Sequence, residues 1–169
     1  VDGNQYNHIK TMYSGNKYRE YQRYVEILKI DNMLKEINIS PIHFKGGVLA
    51  SQLYSDVYVR HVGDIDFFVP PENFDKALKT LLNNGYHIDN KKSEDIKHHI
   101  SLYSQSPFVT EIHQSFISPR RNIDMSYLSN HTTACILNNH NFTTLSKTSC
   151  VLYMLYHLYM HVLLSSNLF

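Results

Sequence analysis

Arg60-His61-Val62-Gly63-Asp64-Ile65-Asp66-Phe67-Phe68-Val69-Pro70 is the stretch on which the reading of this chain turns. Ile65, Phe67, Phe68 and Val69 favour a strand, and Pro70-Pro71 stops it. Side chains on a strand alternate between its two faces. Asp64, Asp66 and Phe68 therefore share one face, and Ile65, Phe67 and Val69 the other. The apolar flanks point to a buried central strand, where uncompensated carboxylates are expensive and like charges side by side repel. A bound divalent cation would offset both effects. The alternative is a pair of solvated aspartates on an edge strand.

Working outward, residues from about Tyr18 to Ile37 read as an amphipathic helix, with Tyr21, Val25, Leu28 and Met33-Leu34 on its apolar side. Asn38 to Phe44, broken by Pro41, is a short strand. Gly46-Gly47 opens a small helix from Val48 to Tyr54. Glu72 to Asn84 is a helix that Gly85 ends. Tyr86 to Ile88, His98 to Ser104 and Phe108 to Phe116 are strands, the last two forming a hairpin around Ser106-Pro107. Lys91 to Lys97 is a charged, solvated loop, and Asn122 to Leu128 a short helix. Ala134 to Leu137 and Phe142 to Leu145 flank Asn138-Asn139-His140 as a second hairpin. Ser146 caps a final apolar helix reaching about Leu164. This order gives an α/β (α+β) domain with a mixed sheet.

The bulk composition excludes several classes. At 169 residues, the chain suits one domain, or one plus an appendage. A formal net charge of +1 supplies no basic field for nucleic acid. The 13 Tyr are spread along the chain as packing and surface residues rather than gathered into a base-stacking platform. Cys135 and Cys150 make neither a zinc knuckle nor a disulfide framework, which fits a reducing cytoplasm. The polar N-terminus has no signal-peptide core. Cys150 to Leu164, the most apolar stretch, is interrupted by His157 and His161 and is too short for a membrane span. The chain starts at Val1 and stops at Phe169 soon after an apolar helix, as a fragment or a trimmed protein would.

Two further features bear on chemistry. Phe44-Lys45-Gly46-Gly47 takes a strand into a helix through two glycines, which allow close backbone approach to a ligand, and the helix N-terminus offers N–H groups to phosphate. Such a pair can equally be a plain turn. In Val109-Thr110-Glu111-Ile112-His113, Glu111 and His113 share a strand face. A third carboxylate beside the Asp pair would complete a two-metal site; alone, the pattern is also that of any half-exposed strand. His157 and His161, four apart on one helix face, either face the cleft or are buried. The intervening residues lack the Glu of a metalloprotease motif. His98-His99 reads as structural, with one of the two turned inward.

Together, Gly46-Gly47, Gly63-Asp64-Ile65-Asp66 and Glu111 resemble the nucleotidyltransferase fold of the DNA polymerase beta superfamily. More closely, the chain resembles an uncharacterised bacterial nucleotidyltransferase family with a K-G-x-x-L-A-x-x-x-Y stretch, then R-x-x-G-D-I-D, then E-I-H. The matching residues are Lys45-Gly46, Leu49-Ala50, Tyr54, Arg60, Gly63 to Asp66, Val69 and Glu111-Ile112-His113. Asn84-Gly85-Tyr86 and the late helix with His157 and His161 fit as well. The gap from Gly47 to Asp64 is longer than in the superfamily's shortest patterns, and the helical C-terminal part of many members is barely present.

The resemblance implies a mixed β-sheet flanked by helices, with a C-terminal helix. It divides the chain into an N-terminal extension (1–17), a core domain (18–145) and a C-terminal helix (146–169) that could begin a helical domain. It also implies transfer of a nucleoside monophosphate from a nucleoside triphosphate, ATP among them, to an acceptor hydroxyl on a small molecule or protein. Asp64, Asp66 and Glu111 would be catalytic and would hold Mg²⁺ or Mn²⁺. Lys45, Gly46, Gly47 and Arg60 would bind the phosphates, and His113 would stand beside Glu111 or be a packed histidine. On that reading Asp66→Asn removes a metal ligand, relieves repulsion and leaves the fold intact. The competing class is a catalytically silent nucleotide-binding or regulatory module, such as a toxin–antitoxin partner; nucleic-acid processing is disfavoured by the charge.

Overall fold

A computed structural model describes residues 2–56, 63–88, 98–117 and 126–165. Along the chain run α1 (Gly3–Glu36), β1 (Ile42–His43), α2 (Gly46–Leu53), β2 (Ile65–Phe68), α3 (Pro71–Asn83) and β3 (His87–Ile88). There follow β4 (His99–Tyr103), β5 (Thr110–His113), α4 (Ser126–Asn130), β6 (Thr132–Leu137), β7 (His140–Leu145) and α5 (Lys147–Ser165). The strands form one mixed sheet in the order β3-β4-β5-β2-β1-β7-β6. β2 lies parallel to β5, and β1 parallel to β7; β1 and β2 are antiparallel. The hairpins β4–β5 and β6–β7 are those expected.

Alternation along β2 sorts the two layers. Ile65 and Phe67 face a core built with Ile27, Ile30 and Leu34 of α1, Val48 of α2, and Phe74, Ala77 and Leu81 of α3. Phe68 faces the other way, with Phe44, Phe116, Leu128 of α4, and Cys150 and Tyr153 of α5. The sheet thus carries α1, α2 and α3 on one face and α4 and α5 on the other. Asp66 shares the Phe68 face. Both cysteines are buried thiols.

The first helix departs from the expected one at both ends of the argument. It begins at Gly3, capped by Asp2, whose Oδ1 accepts from the Asn4 N–H at 3.2 Å. The N-terminal extension is therefore the first half of α1. Its buried face also differs: Tyr21 and Val25 are exposed, and Glu20, Arg23, Ile27, Ile30, Asp31 and Leu34 are buried. The reason is pairing. Arg23 pairs with Glu20. Asp31 receives Lys35 at 2.7 Å, His140 at 2.9 Å and His43 at 3.3 Å. A hydropathy pattern counts such residues as solvent-facing, but a buried charge with enough partners is tolerated.

Turn chemistry follows the sequence. Gly85 has φ +89° and closes α3, with the Tyr86 N–H donating to Leu81. Asn38, at φ +62°, closes α1 in the same manner. Asn138 and Asn139, both left-handed, make the two-residue turn between β6 and β7. Ser146 Oγ accepts from the Ser149 N–H at 3.3 Å and starts α5. No helix among the described residues is long and apolar enough to cross a membrane.

Candidate active site

The site forms where β2 and β5 run side by side. Their parallel register sets Asp66 opposite Glu111 and Phe68 opposite His113. β4 then brings His99 opposite His113 and Ser101 opposite Glu111. Cross-strand partners share a face, so one patch of sheet collects Asp66, Glu111, His113 and His99. Asp64 precedes β2 on the same side. Among the described residues, Asp66, Glu111 and His113 bring one ligand atom each to within 4.8 Å of one another, and His98, His99 and His113 do the same.

Asp66 is the hub and is almost fully buried. Its Oδ1 accepts from Lys45 Nζ at 2.9 Å and lies 3.0 Å from His113 Nε2. Its Oδ2 is buried with no hydrogen-bond partner among the described residues, as is His113 Nδ1. Burial alone would push the Asp66 carboxyl up, but the His113 and Lys45 contacts overcome it and hold Asp66 below the usual carboxylate range. Glu111 is likewise held down, first by His113, which stands 3.5 Å from Oε2; His99 lies 3.5 Å from Oε1. Asp64 moves the opposite way: burial and the charges of Asp66 and Glu111 push it up.

The repulsion expected between the two aspartates therefore falls on Asp64. That corrects the expected effect of Asp66→Asn. Asp66 is compensated by a lysine and a histidine, so its loss weakens those contacts as well as relieving the repulsion on Asp64.

Lys45 is the N-cap of α2 and makes no capping bond with its side chain. The side chain instead reaches over the Phe44 ring (5.3 Å) to Asp66, with the Tyr153 ring of α5 6.0 Å away. Burial would lower the ammonium's pKa, but Asp66 outweighs it and holds Lys45 above its usual range. Burial pushes the Tyr153 hydroxyl up to about 12. Gly46 has φ +63°, a conformation a Cβ would strain, and it starts α2. A Cβ on Gly47 would come within 4.0 Å of Glu20 Oε2. The Glu20–Arg23 pair thus lines a pocket against Gly47, with Arg23 stacked 4.9 Å over Phe108.

Of the residues marked in the sequence, the structure brings together Lys45, Asp64, Asp66, Glu111 and His113, with Gly46 and Gly47 at the helix start. Arg60 lies outside the described residues, as do the loop Lys91 to Lys97 and the first residues of the Asn122 helix. His157 is exposed against the Tyr153 ring at 5.8 Å, so it is neither buried nor in the patch. The side chain of His161 also lies outside the described residues.

Sequence reasoning missed Tyr153, the Glu20–Arg23 pair and the two histidines His98 and His99. The last two were within reach: the hairpin register alone puts His99 opposite His113. His98 Nε2 lies 3.2 Å from His99 Nδ1, and both rings are half-buried. Burial, then neighbouring His99, His113 and Lys45, pull His98 down to about 4, and burial lowers His99 as well.

The donor set suits a divalent cation. A partnerless buried carboxylate oxygen on Asp66, with Glu111 within ligand reach, is what hard cations require.

Comparison with known proteins bears on the family and the fold. A family described as uncharacterised nucleotidyltransferase matches residues 1–168. No curated protein matches the sequence. Among solved structures, the chain is similar to a candidate nucleotidyltransferase (TM1012) from Thermotoga maritima. The TM-score is 0.56 and the identity 18%, covering 86% of this chain and 90% of that one. At that identity the likeness concerns the fold, a nucleotidyltransferase fold.

Proposed function

We propose a function from one premise: this chain belongs to the family of uncharacterised nucleotidyltransferases. The reading is a Mg²⁺- or Mn²⁺-dependent transfer of a nucleoside monophosphate from a nucleoside triphosphate to an acceptor hydroxyl, on a small molecule or a protein. The observation that supports it best is the Asp66–Glu111 register on adjacent parallel strands, with Lys45 from the α2 start donating to Asp66. The α2 start with its lysine, the carboxylates and a partnerless carboxylate oxygen thereby lie side by side.

Asp64, Asp66 and Glu111 would hold the divalent ion, which when bound neutralises triphosphate charge. The uncapped N–H groups of α2, reached closely because Gly46 and Gly47 lack Cβ atoms, would donate to the β- and γ-phosphate oxygens. Lys45, anchored on Asp66 beside the α2 start, would share its charge with phosphate. His113 fixes the orientation of Asp66, and Phe44, Phe116 and Tyr153 wall off one side from water. Glu111 is ionised and partly exposed, so it can take the proton as the acceptor oxygen bonds to the α-phosphorus. The bond from that phosphorus to pyrophosphate breaks. Such a site works through positioning and electrostatics. Arg60 stays a candidate phosphate ligand on sequence grounds.

The test is thermal unfolding of the wild type and of the Asp64→Asn/Asp66→Asn variant with each of the four nucleoside triphosphates, with and without Mg²⁺. A ligand at about 100 times its dissociation constant adds about 2.7 kcal/mol. The expected outcome is a Mg²⁺-dependent rise in Tm with at least one nucleotide, absent in the variant. No rise with any nucleotide, or an equal rise in the variant, overturns the reading.

A further inference from the structure

Three imidazoles on the wall of a carboxylate site are not explained by a hard cation, which takes oxygen. His98, His99 and His113 each offer one ring nitrogen, and these atoms lie within 4.8 Å of one another. The closest pair, His98 Nε2 and His99 Nδ1, is 3.2 Å apart. For ligands about 2.0–2.1 Å from a tetrahedral ion, geometry puts neighbouring donors roughly 3.3–3.4 Å apart. That pair is already spaced to share an ion.

The outer contacts are those of bound histidines. A ligating imidazole almost always donates its other ring N–H to a carboxylate, a backbone carbonyl or water. His99 Nε2 faces Glu111 Oε1 at 3.5 Å, and His113 Nε2 faces Asp66 Oδ1 at 3.0 Å. Glu111 also lies 3.5 Å from His113 Nε2, so both carboxylates orient these rings. His113 is 1% exposed, and its Nδ1 has no hydrogen-bond partner among the described residues, so one nitrogen of a buried ring remains unused. The three rings also stand together, with His99 and His113 centroids 4.9 Å apart and His98 and His113 5.6 Å apart.

We propose that His98, His99 and His113 form a second ion site, selective for a borderline divalent transition ion of the Zn²⁺ class and adjoining the carboxylate site. Three protein ligands leave a fourth position for an oxygen ligand, water or a hydroxyl. Nitrogen donors and ion softness, rather than charge, separate it from the neighbouring Asp64–Asp66–Glu111 group.

The test uses Co²⁺ as the probe, added to metal-free protein with no nucleotide present, so its outcome is independent of the nucleotidyl reading. The wild type is expected to take up one Co²⁺ with the intense visible bands of four-coordinate cobalt. Zn²⁺ displaces it, and excess Mg²⁺ does not. His98→Ala and His99→Ala each weaken Co²⁺ binding by ~100-fold or more, while the metal-free Tm shows that each variant is folded.

Histidine ring NMR reads the same site in the wild type without any substitution. Zn²⁺ should perturb three of the 11 histidine signals together. Absence of four-coordinate bands, Co²⁺ affinity unchanged in both variants, displacement by Mg²⁺, or Zn²⁺ shifts confined to other histidines would each overturn the proposal.

Discussion

Asp64 and Asp66 stand two residues apart, point to the same side, and are pushed in opposite directions. Asp66 is ionised against Lys45 and His113, whereas Asp64 bears the repulsion of Asp66 and Glu111. An acid whose folded pKa is raised loses stability as pH rises through its titration, so at neutral pH the Asp64 charge costs stability. In metal-free protein, Asp64→Asn is expected to be neutral or stabilising, within about 0.5 kcal/mol or better. Asp66→Asn should destabilise by about 1–3 kcal/mol, because it replaces the charged acceptor of Lys45 and His113 with a neutral amide oxygen. Urea unfolding of both variants without metal checks this, and equal effects would contradict it.

At this scale much was legible. Asp66 and Glu111 announce themselves as charges within apolar strands, and Lys45 stands next to the glycines. His98 and His99 carry no local mark of function and were legible only through the expected β4–β5 hairpin, whose register sets His99 opposite His113. Tyr153 was not legible, since it reads as one more aromatic on an apolar helix.

At the scale of elements, the lesson lies in α1. Its buried face holds Glu20, Arg23 and Asp31, which hydropathy alone assigns to solvent, while Tyr21 and Val25 are exposed. Short-range periodicity read the helix type correctly and placed Leu28, Met33 and Leu34 on the core side, but it misplaced Tyr21 and Val25 and missed the buried charges, since the histidine partners of Asp31 come from β1 and β7. Strands and turns fared better, because Gly85, Asn138-Asn139 and Pro70-Pro71 impose conformation locally. The Asp31 cluster also sets an acid limit. Burial pushes this carboxyl up, but hydrogen bonds from His43, His140 and Lys35 bring it from 3.8 to about 2. An acid held low in the fold contributes stability that is fully present above its unfolded pKa. That contribution, roughly 2–3 kcal/mol, is lost as pH falls from about 4 to about 2. Urea midpoints measured at pH 5 and pH 2.5 should therefore differ less in Asp31→Asn than in the wild type.

For the whole molecule, the sheet separates two cores that share few side chains. Leu81 belongs to the α1–α3 side and Leu128 to the α4–α5 side, and both are fully buried. Replacing either by Ala should cost about 2–5 kcal/mol through lost contacts and a cavity. Because the sites lie across the sheet from each other, the double variant should equal the sum within about 0.5 kcal/mol. Chemical denaturation of the two singles and the double tests it, and strong non-additivity would mean that the sheet transmits repacking between layers.

The place of β1 between β2 and β7 has a consequence for synthesis. β1 pairs with β2 soon after both exist, but its other neighbour arrives much later: His43 and Thr144, hydrogen-bonded across that seam, are 101 residues apart. At about 5–20 residues per second, the ribosome takes on the order of 5–20 s to deliver the missing strand. Throughout that interval the nascent chain carries an open strand edge, and Ile42 and Phe44 lack their cover from α5. The polypeptide is thus made in an order that adds the outer β6–β7 hairpin last and leaves β1 an open edge until then, and a chaperone able to hold apolar extended segments has a defined window in which to act.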